Sequence, residues 1–303
     1  MPQPHDETPF CMAPDPAPRA PSFTMPTGAC DTHFHAFPTG HEHRYVAARS
    51  YTPPPLEMSD YARIAETLGL ERAVVIQPSV YAEDNAATLT ISQSDPERLR
   101  AVVSVTNDVT DAELETFHAK GARGIRVNVV DSGGMTFASI DEALAFTARI
   151  RDLGWHIEFL AHVENFEDIN AVLAASHVPV VFGHLGYTKT HKGVSDPGFQ
   201  RFLDAFKQGK AWAKLTGPYR ISAQDRLPYT DVSDMARALI AANPARLLWG
   251  SDWPHVRHTG AMPNDGALLD LLAEWGCDAG LRQQILADNP AALYGFPEVS
   301  HKG

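Results

Sequence analysis

Cysteine is scarce: Cys11, Cys30 and Cys277 are the only three, far apart, odd in number and in no CxxC spacing. That excludes a disulfide framework and a cysteine-ligated zinc site. No run of eighteen or more apolar residues occurs, so there is no candidate membrane span, and the N-terminus lacks the basic-then-apolar order of a secretory signal. The expectation is a cytoplasmic protein with no membrane partner. Basic charge is also short. Lys and Arg number 25 against 37 Asp and Glu, a formal net charge of −12, and no basic stripe with interleaved aromatics offsets it, so nucleic acid is not an expected partner. Neither GxGxxG nor GxxxxGK[ST] follows a strand-like run, which removes the usual sign of a nucleotide site on an open sheet.

What is present is enough to build a large core: 303 residues, 44% of them hydrophobic and 20% charged. Residues 1–28 are dense in proline, with "APDPAPRAP", and sustain neither a helix nor a central strand. They read as a disordered or surface-draped leader, and residues 29–303 as one domain. From there short apolar runs alternate with amphipathic segments. Strands are predicted at 30–35, 72–77, 101–105, 124–130, 156–161, 178–183, 211–217 and 246–252. Helical patterns lie between them, two opening with capping boxes (Thr110 with Glu113, Ser139 with Glu142) and others ending at Gly69, Gly121 or Gly154. Eight strand-helix units predict a single-domain α/β fold, a (β/α)8 TIM barrel whose buried parallel strands read as continuous apolar runs. An open doubly wound sheet is the alternative.

In such a barrel the side chains at the C-terminal strand ends face the active site. In "CDTHFH", alternation puts His33 and His35 on one side of a strand. Other polar residues near strand ends are Gln77, Ser79, Arg126, Asn128, His162, His184, Lys214, Arg220 and Asp252. A lone histidine after a strand is usually a surface or hydrogen-bonded core residue; the joint placement of His33, His35, His184 and Asp252 is what points to chemistry. His41, His43, His118, His177, His191 and His301 read as surface residues.

The runs "DTHFH", "FGHLG" and "WGSDWPH" resemble the amidohydrolase superfamily. Within it, "YTPPP", "VIQPSVYAEDNAATL", "GARGIRVN", "GPYR" and "NPAALYGF" are similar to the branch of 2-pyrone-4,6-dicarboxylate lactonase and related muconolactone and sugar-acid enzymes. The resemblance implies a hydrolase that opens a small carboxylated or sulfonated lactone, as in aromatic catabolism. It implies that Asp252 takes the proton from water, while His33, His35 and His184 polarise the lactone carbonyl. Arg126 and Arg220 suit the substrate's anionic groups, because a planar guanidinium pairs with both oxygens, with Tyr51, Ser79 and Asn128 as hydrogen-bonding neighbours. Glu158 and Asp131 are the next candidates for the base.

Those lactonases work without metal, so no cofactor is the expectation. The alternative is one divalent ion, Zn or Mn, on His33, His35 and Asp252, as in other superfamily members. Two departures stand out, the first bearing on the metal and the second on the substrate's anionic groups. Leu160 stands where the lactonases have a tyrosine, with His162 two residues on, and "VVDSGG" supplies Asp131 and Ser132 where they bring an arginine. The alternatives in activity are a sugar-acid lactone isomerase, a metal-dependent decarboxylase, and a binding protein on an inactive barrel.

Overall fold

The structure, a computed structural model, describes residues 8–41, 44–130 and 135–297. His43, Asp131, Ser132 and His301 lie outside the described residues. Eight strands form one sheet in sequence order: β1 (Cys30–Phe34), β2 (Arg72–Ile76), β3 (Leu99–Val103), β4 (Ala122–Asn128), β5 (His156–Leu160), β6 (Val180–Phe182), β7 (Trp212–Thr216) and β8 (Leu247–Gly250). Successive strands pair in parallel. The helices are α1 (Met58–Leu68), α2 (Ala86–Ser94), α3 (Asp111–Ala119), α4 (Ile140–Ile150), α5 (Ile169–Ala175), α6 (Pro197–Lys207), α7 (Ser233–Ala242), α8 (Asp265–Glu274), α9 (Ala279–Gln283) and α10 (Asn289–Tyr294). This is the (β/α)8 barrel.

Every residue of β1, β2, β5 and β7 is buried, which is why these segments read as unbroken apolar runs. One apolar layer lies between strands and helices. A smaller cluster, including Cys30, Val74, Val102, Val181 and Leu248, packs with Tyr294 and Phe296 of the C-terminal segment. That segment is tied to the N-terminal ends of β2 and β3, where Arg72 donates to Pro297 O and Arg100 to Gly295 O. The opposite, C-terminal end of the barrel is left for chemistry.

Strand ends differ from the sequence reading where the backbone leaves extended geometry. β6 stops at Phe182 because His184 and Leu185 take positive φ, and β8 stops at Gly250 because Asp252 does (φ 62°). The Thr110 and Glu113 capping box forms in both directions. Ser139 accepts from Glu142 N, but the Glu142 carboxylate accepts from Ala138 N instead of closing a box. Residues 8–28 contact the barrel at separated points. Cys11 N donates to Thr52 O (2.8 Å), and Ser22 N and Oγ donate to Asp270 (2.6 and 2.8 Å).

β8 returns to β1 through a seam of local bonds. Asp252 N donates to His33 O and His35 N to Trp253 O, both 2.8 Å. Asp31, fully buried, spans the seam: Oδ1 accepts from His33 N and Ser251 N (2.9 Å each), Oδ2 from Ser251 Oγ (2.6 Å) and Tyr61 Oη (3.1 Å). Burial pushes its carboxyl up to about 6 despite these donors. A Cβ on Gly250 would stand 2.6 Å from His33 Cβ, so only glycine admits this approach. Asp31→Ala strands two backbone N–H groups and two hydroxyls. It should lower the unfolding free energy by about 3 kcal/mol, read by chemical denaturation; a loss within error of zero would show that the seam holds without it.

Candidate active site

The barrel mouth brings the imidazoles of His33, His35 and His184 together. The His33 ring lies 5.1 Å from that of His35 and 5.2 Å from that of His184, and all three residues are buried. β1 projects the first two from the same side. His184 follows β6 at φ 49°, a left-handed conformation that non-glycine residues adopt mainly where surrounding structure enforces it.

Each ring is oriented through Nδ1. His35 Nδ1 meets Ile76 O (2.8 Å), His184 Nδ1 meets Thr216 O (3.2 Å), and His33 Nδ1 faces Glu158 Oε1 (3.3 Å). A carbonyl oxygen only accepts, so in His35 and His184 Nδ1 carries the proton and Nε2 presents a lone pair, whereas His33 Nδ1 also meets the Lys214 ammonium, a donor, at 3.5 Å, and its tautomer is not set by these contacts. Burial pushes His35 down to about 4, His184 to about 3 and His33 well below the ordinary imidazole value, which keeps the rings neutral.

Asp252 completes the group. His33 Nε2 is 3.7 Å and His35 Nε2 3.8 Å from its Oδ1, and His33 Nε2 and Asp252 Oδ1 are both buried without a hydrogen-bond partner. Its Oδ2 is fully engaged, accepting from Arg220 Nε and Tyr219 Oη at 2.6 Å each. Burial alone would raise the Asp252 pKa; the Arg220 guanidinium overrides it and holds the carboxyl well below its usual range. Gly217 (φ 52°) permits the packing: a Cβ there would lie 2.8 Å from His184 Nδ1 and 2.9 Å from Asp252 Oδ2.

The other expected residues divide. Arg126 lies at the rim, donates to Gln77 O (2.9 Å) and forms no ion pair among the described residues. Tyr51, buried, is bonded to the Ser79 side chain, and Asn128 Oδ1 accepts from Val130 N (3.0 Å). Arg220 is turned to Asp252, with Nε on Oδ2 (2.6 Å) and Nη2 on Val256 O (3.2 Å). His162 stays outside the imidazole cluster; its Nδ1 faces Glu164 (3.5 Å) and its ring meets Tyr187 edge-on. Of the histidines read as surface residues, His118 accepts from Trp155 Nε1 (2.9 Å), so it is a packing residue.

Two contributors escaped the sequence reading, and a third was read only as a reserve base. Asp252 is not the only carboxylate near the histidines: Glu158, buried, sits under His33, paired with fully buried Lys214 (2.6 Å). The alternation of "HIEFLA" was a signal for it. Tyr219 and His255 stand within "GPYR" and "WGSDWPH", but nothing in those runs gives them a role.

An oxygen of Asp252 and nitrogens of His33 and His184 lie within 4.8 Å of one another. Imidazole nitrogens of this kind facing an unpaired carboxylate oxygen are a donor set that suits a divalent cation. The family model described as amidohydrolase matches residues 30–296. The chain belongs to the amidohydrolase family. It is 36% identical to 4-sulfomuconolactone hydrolase of Rhizobium radiobacter over 90% of this chain and 92% of that one. It is 33% identical to 2-pyrone-4,6-dicarboxylate hydrolase of Comamonas testosteroni over 93% and 95%. Among solved structures, an apo protein of Agrobacterium tumefaciens superposes with a TM-score of 0.81 at 28% identity, covering 92% of this chain and all of that one.

In this amidohydrolase the Arg220 and Asp252 pair is buried, so removing one partner strands a charge. Arg220→Met should cost about 3–5 kcal/mol of stability. The double variant Arg220→Met, Asp252→Asn should lose at least about 2 kcal/mol less than the sum of the single losses. Additive losses in denaturation would remove the pairing. Because the folded pKa of Asp252 is depressed, the pair stabilises above the unfolded carboxylate value and loses that effect as pH falls through the folded one.

Proposed function

We propose that this chain hydrolyses a small anionic lactone. The reading is supported by one observation above the others: Asp252 Oδ1 is ionised, buried and free of hydrogen bonds, and the imidazole group faces it at a barrel mouth whose rim holds an arginine without an ion pair among the described residues. The named activities of the two relatives, both lactone hydrolases, support the substrate class.

In this mechanism Arg126 binds the substrate's carboxylate or sulfonate, and Arg220 Nη1, Tyr51, Ser79 and Asn128 complete the wall around it. The lactone carbonyl lies over the imidazoles. Asp252 Oδ1 takes a proton from the attacking water, the acyl C–O bond breaks, and the same oxygen returns the proton to the departing ring oxygen. Oδ2 stays with Arg220 and Tyr219 throughout, which fixes the orientation of the carboxylate.

The orientation of the histidines bears on the cofactor. His35 and His184, neutral and protonated at Nδ1, cannot donate from Nε2 to a carbonyl oxygen, so their tautomers favour the metal alternative over chemistry by the histidines alone. His33, His35, His184 and Asp252 would hold one divalent ion, Zn or Mn. When bound, such an ion supplies Lewis-acid polarisation of the carbonyl and a lowered pKa for water.

A panel of anionic lactones screened with a pH indicator should reveal acid release by the wild type. Conversion without acid release would instead identify an isomerase. Asp252→Asn should lose at least about 100-fold in kcat while retaining substrate binding; near-native turnover would move the base elsewhere, Glu158 first. Elemental analysis should find a stoichiometric divalent metal, with chelation abolishing activity and zinc or manganese restoring it. Full kcat in metal-free protein would return the carbonyl contacts to the histidines.

A further inference from the structure

The loop that follows β6 is strained beyond what placing His184 requires. His184, Leu185, Gly186 and Tyr187 all take left-handed φ (49°, 55°, 80° and 60°), and all but the glycine carry side chains that disfavour it. The result is a Tyr187 ring 5.7 Å from the His184 imidazole and edge-on to that of His162, 5.0 Å away. Lys189 Nζ stands 5.1 Å from the centre of the same tyrosine ring. The turn thus brings a lysine to the border of the imidazole group.

That lysine is short of acceptors. It is half-buried, its Nζ donates to Arg220 O, and it forms no ion pair among the described residues. The nearby carboxylate, Glu164, accepts instead from Thr188 Oγ1 (2.7 Å) and Lys192 Nζ (3.0 Å). Burial and then the Arg220 guanidinium push the Lys189 ammonium below the ordinary lysine value, and Glu164 offsets them only in part. An ammonium has several donors, and one carbonyl does not exhaust them. An anion placed against it would relieve both the desolvation and the repulsion.

We propose that Lys189, walled by Tyr187 and His162, holds a second anionic group of the substrate and so selects dianionic lactones over monoanionic ones. The inference rests on the reading above, in which Arg126 holds the first such group. Arg126 is on β4 and meets Gln77 O, beyond β2, whereas Lys189 follows β6 and meets Arg220 O, beyond β7. The two cations therefore reach the mouth from different sides of the barrel. A ring whose two charged substituents engage both has one orientation over the imidazoles; a ring with a single anion is free to swing about Arg126. The ammonium is a point charge without the planar fork of a guanidinium, so this position suits a tetrahedral sulfonate as well as a planar carboxylate.

Binding of aromatic acids that cannot be hydrolysed tests this on the full chain. In isothermal titration at fixed ionic strength, isophthalate and 3-sulfobenzoate should each bind the wild type at least about 10-fold more tightly than benzoate, the factor expected of one more charge-assisted contact. Lys189→Met should cut that preference to about 2-fold or less, and Lys189→Arg, which keeps the charge, should retain most of it. A wild type with no preference, or a preference that survives in Lys189→Met, would overturn the proposal. Loss of benzoate binding along with the others would mark a structural role and overturn it too. In turnover, Lys189→Met should raise KM for a dianionic lactone at least about 10-fold with kcat within about 3-fold; a fall in kcat at unchanged KM would place the lysine in the chemistry instead. If the wild type opens no lactone, the proposed function fails, and the titration still decides this one.

Discussion

The return of β8 onto β1 is the constraint on which the rest depends. A parallel barrel closes only if its first and last strands meet, and here they meet at the segment that carries the chemistry. The buried Asp31 carboxylate accepts from both strands at once, and Gly250 has no side chain to keep them apart. One backbone bond of the seam leaves Asp252 and the next leaves Trp253, so the distance between the histidines and the carboxylate is set by the same bonds that close the barrel. A stability element and a site element are therefore one object, and loosening the first would spread the second.

Closure of this kind buries charge, and the structure answers each buried charge locally. Asp252 is met by Arg220 and a phenol, and Glu158 by Lys214, which also donates to Thr32 O at 2.8 Å. A pair sunk this deep adds little net stability, since desolvation cancels much of the Coulomb gain. What it does provide is direction. Arg220 with Tyr219 fixes which oxygen of Asp252 is free. The rings are kept neutral by burial, while the carboxylate is kept ionised by its arginine.

Much of this was legible in the sequence. The eight apolar runs were visible because strands covered on both faces have no polar alternation to disguise them. The period of two in "CDTHFH" by itself places His33 and His35 together. What escaped was the result of pairing between distant segments. Nothing in "RISA" or "GPYR" says that Arg220 turns inward to Asp252, because that depends on the left-handed backbone at Gly217 and Asp252, which one sequence does not display. Glu158 was legible only as a reserve base: its place under His33 depends on a buried lysine fifty-six positions away, which the strand's own sequence does not display.

The division of the two arginines carries an argument about selectivity. A chain with a net charge of −12 repels anions at long range, so an anionic substrate must be drawn by a local field. Arg220 is largely spent on Asp252 and contributes little net charge to the mouth. Arg126, at the rim, is held among the described residues by a backbone carbonyl and no carboxylate. The positive potential is thus displaced from Asp252 to the opposite side of the opening. In the mechanism proposed above, an anion bound there stands apart from Asp252, and its neutral ester carbon, not its charged group, is presented to the free oxygen. An arrangement with both arginines equally free would attract the anion to the base itself and block the water.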